Sequence, residues 1–149
     1  MRNFVDQLSK SKSFHSGKGV TQDVIEAAEE ELNLMFSDEY KKYVLMYGKA
    51  SIYGHEFTGL GVEGPLNVVE ATKYQRSKNS NIPGDYYVVE ELHIDDMAIW
   101  QNRSGEVFQS YGDGTYEKMF DSLSDLIEED MKDSPEIEKP KKGFFFRKK

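Results

Sequence analysis

Apolar positions along the chain fall into two kinds of spacing, and the elements follow from them. Phe4, Val5 and Leu8 recur at helical spacing and predict a short N-terminal helix. Ser-Lys-Ser and Ser16-Gly17-Lys18-Gly19 break that pattern. Thr21 is placed to cap a second helix, in which Val24, Ile25, Ala28, Leu32, Met35 and Phe36 fall near one face. Glu26, Glu29, Glu30 and Glu31 occupy the opposite, solvated face. Ser37-Asp38-Glu39 opens a third helix, since a serine cap and acids in the first turn suit the helix dipole. Tyr40, Tyr43, Val44 and Tyr47 give its apolar stripe, and Gly48 ends it.

Further along, Ile52 to Phe57 reads as a strand, and Gly59, Gly61, Gly64 and Pro65 punctuate a loop. Asn67 to Arg76 is a predicted helix. The period then changes to two, because Tyr86-Tyr87-Val88-Val89, Met97 to Trp100 and Val107 to Tyr111 are rich in strand formers. Turns at Asn102 to Gly105 and Gly112 to Gly114 separate them, and Tyr116 to Phe120 is a short edge strand. Asp121 or Ser122 caps a last helix with Leu123, Leu126, Ile127 and Met131 inward and Asp125, Glu128, Glu129, Asp130 and Asp133 outward. The expected fold class is α+β, with an antiparallel sheet of about four to six strands and the helices packed on one side. Residues 1–133 form the expected domain.

Residues 134–149 differ in composition. Six basic side chains stand against two acidic ones around Phe144-Phe145-Phe146, a net +4 that leaves the rest of the chain at −12. Such a basic, Phe-rich tail could touch a membrane surface or RNA, or could fold back on the acidic body.

Composition narrows the function classes. With 38% hydrophobic and 13% aromatic residues, a packed core is affordable and disorder throughout is not expected. A net charge of −8 argues against nucleic acid as a direct partner and is compatible with a basic protein partner. The absence of cysteine excludes disulfides and thiolate chemistry, and fits a cytoplasmic chain. No apolar run is long enough for a membrane span, and no apolar segment at the N-terminus suggests a secretory signal.

Candidate chemistry is sparse. His15, His55 and His93 have no metal-ligand spacing, so no metal site, cofactor or catalytic residue is expected. The glycines have no phosphate-cradle context. Glu90-Glu91 and Asp95-Asp96 form the densest acidic cluster of the sheet region. As an acid–base pair they lack a neighbouring group to tune them; as a solvated loop or an acidic binding patch at strand ends they need none. Glu90, Glu91, Asp95, Asp96 and Asp113 are therefore the candidate partner-binding residues. Trp100 is a core anchor or an interface hot spot.

The order of elements from Thr21 to Met131 resembles the Smi/Knr domain family of the SUKH superfamily. Ile25, Glu29 and Leu32 match its opening helix, and Asp38-Glu39-Tyr40-Lys41-Lys42-Tyr43-Val44 with Tyr47-Gly48 match the second. Phe57-Thr58-Gly59-Leu60, Gly105-Glu106-Val107 and Met119 to Leu123 are similar to later family features. Met35-Phe36 stands where the family has Leu-Pro. The resemblance implies a non-catalytic binding protein. In bacterial members of the immunity type it implies an antitoxin that neutralises a cognate polymorphic toxin, often a nuclease with a basic surface, by direct stoichiometric contact. The alternative it implies is a scaffold or regulatory protein-binding module.

Overall fold

A computed structural model describes residues 3–131; the basic tail lies outside them. Among the described residues, five α-helices accompany one antiparallel sheet: α1 (Phe4–Ser9), α2 (Gln22–Leu32), α3 (Asp38–Tyr47), α4 (Val68–Lys78) and α5 (Leu123–Met131). The strands are β1 (His15–Ser16), β2 (Ala50–Ile52), β3 (His55–Phe57), β4 (Tyr87–Glu91), β5 (Ala98–Gln101), β6 (Val107–Ser110) and β7 (Tyr116–Phe120). They pair in strict sequence order, so the sheet is a seven-stranded meander. No helix among the described residues is long and apolar enough to cross a membrane.

The α+β expectation holds, with local differences. The run predicted as one strand from Ile52 to Phe57 is a hairpin. Tyr53 and Gly54 both take positive φ, 46° and 84°, the pairing of a tight two-residue turn. The second helix stops at Leu32, because Asn33 enters the left-handed region at φ 56° and its N–H closes onto Glu29 and Glu30 carbonyls. Met35 is consequently exposed, whereas Phe36 is buried. Glu29, expected on the solvated face, is buried and accepts the Phe36 N–H at 2.9 Å. That carboxylate and Asn33 form the interhelical turn at which the family has its Leu-Pro.

The main core lies between one sheet face and α1, α2, α3 and α5. Phe4, Ile25, Phe36, Tyr40, Tyr43 and Leu126 meet Phe57, Tyr87, Val89 and Ile99 there. The tyrosine hydroxyls are satisfied internally. Tyr43 donates to the Thr58 carbonyl at 2.7 Å, and Tyr40 bonds Thr58 Oγ1 at 2.8 Å, which in turn donates to the Val88 carbonyl. A smaller cluster sits on the other face, where Val88, Ala98, Trp100 and Phe108 pack with Ala71 of α4 and with Ile82. Trp100 is fully buried and its indole N–H donates to Ser110 at 2.9 Å, so it is a core anchor.

A bulge in β4 decides which way its acidic end points. Tyr87 pairs with Gln101 and Val88 with Trp100, but Glu90 then pairs with Ile99 and Glu91 with Ala98. Directly opposed residues share a face. The extra residue therefore puts Glu90 with Ile99 on the main-core face and Glu91 with Ala98 on the other.

Candidate functional site: an acidic groove

Glu91, the β4–β5 connection, α4 and the loop before α4 enclose a groove of about 980 Å³. Among the described residues its lining carries five carboxylates, from Glu63, Glu70, Glu91, Asp95 and Asp96, and neither Lys nor Arg. Tyr74 and Ile94, at 49% and 42% exposure, offer apolar surface beside those charges.

Each wall has a local cause. Asn67 caps α4, its side chain accepting the Val69 and Glu70 N–H groups, and its amide donates to the Val62 carbonyl at 2.9 Å. This ties the loop carrying Glu63 to the helix carrying Glu70 and Tyr74. The β4–β5 connection is tight: Leu92 N–H bonds the Met97 carbonyl and Met97 N–H bonds the Ile94 carbonyl. His93, Asp95 and Asp96 all take positive φ, from 52° to 60°. Left-handed non-glycine residues cost energy and persist only when their surroundings hold them. The hold here includes the next hairpin, since a Cβ on Gly112 would lie 2.2 Å from the Asp95 carbonyl oxygen. The two connections are thus in backbone contact, and Asp95 and Asp96 are presented on a braced support.

Electrostatics sharpen the picture. Glu91 accepts from Gln75 Nε2 at 2.7 Å, but burial dominates and pushes its carboxyl above the usual range. Asp113 accepts from both the N–H and hydroxyl of Thr115, which hold its carboxyl below the usual range. Among the described residues, no three ligand atoms in the groove come together as a metal site requires. Its chemistry is that of a negative surface with apolar relief.

Of the residues expected to face a partner, Glu91, Asp95 and Asp96 line this groove. Asp113 is exposed on the turn that braces it, outside the lining. Glu90 departs from the expected solvent-facing position: at 3% exposure it bonds His55 on the other side of the sheet, because of the β4 bulge. Asp130, expected on the outer face of the last helix, is likewise buried. Glu63, Glu70, Tyr74 and Ile94 were missed. The i, i+4 pair Glu70 and Tyr74 on one helix face was a signal for half of that set; Glu63 and Ile94 are brought in only by loop geometry.

Among curated proteins, none matches the chain. A family model described as SMI1-KNR4 cell-wall, SUKH_5, matches residues 1–132, which spans every described element. The meander, the paired helices α2 and α3, and that match agree: the chain belongs to the SUKH_5 branch of the SMI1-KNR4 family.

Proposed function

We propose that this chain is an immunity protein of the SUKH type, a non-catalytic cytoplasmic antitoxin that neutralises a cognate toxin by occupying a basic surface stoichiometrically. The acidic groove carries this reading. Five carboxylates with no Lys or Arg among the described lining residues, next to exposed Tyr74 and Ile94, suit a partner segment that is basic and partly apolar. A nuclease, whose substrate demands a basic cleft, is the toxin class that fits such a surface. Glu91, Asp95 and Asp96 are the proposed contacts in the groove, with Asp113 on its rim.

The test is co-expression with the adjacent open reading frame, scored by growth rescue and co-purification. Rescue in proportion to a one-to-one complex is the expected result. Rescue at trace amounts, or none of the complex on purification, would sink stoichiometric blocking. The family's description refers to the cell wall, and that favours one other reading, a regulatory module binding a non-toxin protein. Copurification with a partner whose expression alone does not arrest growth would select it.

A further inference from the structure

His55 of β3, Glu90 of β4 and Asp130 of α5 come from three distant parts of the chain and meet in the interior. They are 7%, 3% and 0% exposed. The His55 Nδ1 atom lies 3.0 Å from Glu90 Oε2 and 3.8 Å from Asp130 Oδ2. One ligand atom from each residue lies within 4.8 Å of the other two. We propose that this cluster is a binding site for a single divalent transition-metal ion of the zinc class, held by one imidazole nitrogen and two carboxylates.

A proton and a metal ion make different demands on this geometry. Nδ1 carries at most one hydrogen, and that hydrogen serves one carboxylate. The 3.0 Å separation is a hydrogen bond; the 3.8 Å separation is not. A metal ion between the three would bind all of them at once. With ligand bonds of about 2.1 Å, neighbouring ligand atoms in a tetrahedral site lie about 3.4 Å apart. The two observed separations bracket that value, so small side-chain adjustments would close the site.

The carboxylate of Glu90 supplies an independent pointer. Oε2 faces His55, while Oε1 is buried and has no hydrogen-bond partner among the described residues. A buried carboxylate oxygen without a donor is costly, and coordination through both Glu90 oxygens would satisfy it. The bulge that aims Glu90 inward has the same consequence, placing a charge where an ordinary pleat would leave none. The donor set also selects the ion. An imidazole with two carboxylates suits zinc, cobalt or manganese, whereas calcium and magnesium favour all-oxygen sites. Bound there, the ion would pin α5 to β3 and β4.

The experiment uses the whole chain, stripped with chelator and titrated with Zn²⁺, with Mg²⁺ as the control. One equivalent of Zn²⁺ is expected to bind, raising Tm by roughly 5–10 °C at a hundredfold excess over Kd. His55→Ala and Glu90→Gln are expected to weaken binding at least tenfold, and His93→Ala to leave it unchanged. Absence of stoichiometric uptake, or uptake that survives both cluster variants, would overturn the proposal. Should those variants not fold, NMR of the wild-type imidazoles with Co²⁺ decides. Selective perturbation of His55 supports the site, and perturbation of His15 or His93 instead refutes it.

Discussion

Gly59 sits where two backbone segments cross. Its N–H bonds the Leu66 carbonyl and its carbonyl accepts the Val68 N–H, while a Cβ would fall 1.8 Å from the Gly48 carbonyl oxygen. Neither neighbour is a side chain that can swing away. Gly59→Ala is therefore expected to lose about 3 kcal/mol or more, read as a fall in the urea midpoint. Gly84→Ala, with nothing within 4 Å of the added Cβ, should stay within about 0.5 kcal/mol. Glu91 makes a prediction of opposite sign. Its folded-state pKa is raised by burial, so the folded state holds a proton that the unfolded chain releases. Stability then falls as pH rises from the unfolded carboxyl value toward the folded one. Glu91→Gln keeps an acceptor for Gln75 and removes that loss. The variant should melt higher than wild type at pH 7, with the difference shrinking at pH 4.

At the scale of elements, a buried polar chain joins α3, β5 and α5. Ser37 caps α3 by accepting the Tyr40 N–H, and its hydroxyl donates to Gln101 Oε1, which also accepts from the Tyr87 hydroxyl. Gln101 Nε2 donates to Glu39, and Glu39 accepts the Leu123 and Ser124 N–H groups that open α5. One side chain near the start of α3 thus supplies acceptors for the first turn of the last helix, beside the cap from Ser122 to Asp125 N–H. Glu39→Ala leaves those donors unmatched and should cost about 2–3 kcal/mol, with faster amide exchange at 123–125 as its signature. The tyrosines on α3 and β4 set the alkaline limit. Burial raises Tyr40, Tyr43 and Tyr87 above the ordinary 10.0. The unfolded chain gives up those protons first, so stability should fall as pH climbs past 10. Absorbance at tyrosinate wavelengths should show these three ionising together with unfolding, not before it.

Across the whole molecule, charge and support are separated. The helices and main core hold the sheet, while four of the groove's five carboxylates sit on loops and an exposed helix face and Glu91 ends β4. Neutralising Asp95 and Asp96 to Asn, which accepts the left-handed backbone of both positions, should therefore leave Tm close to wild type and slow association with a basic partner several-fold, because interface charges act on encounter. The same complex should weaken as salt rises. An association rate that ignores both changes would place the contact elsewhere.

The sequence by itself determined the class of fold and most element positions. Helical spacing in Tyr40, Tyr43 and Val44 and alternation in the sheet region are local patterns, and burial follows from them once a core exists. The acidic character of Glu91, Asp95 and Asp96 was equally legible, since a charged strand-end loop reads as such without its neighbours. The destination of Glu90 and Asp130 was not. Glu90 turns inward because one bulge in β4 shifts its pairing to Ile99, and Asp130 is buried because His55 and Glu90 lie beneath α5. Residues 35 and 75 positions apart have no local signal of contact. Strand register and helix docking alone bring them together, so the groove was half visible in the chain and the buried cluster wholly a product of tertiary structure.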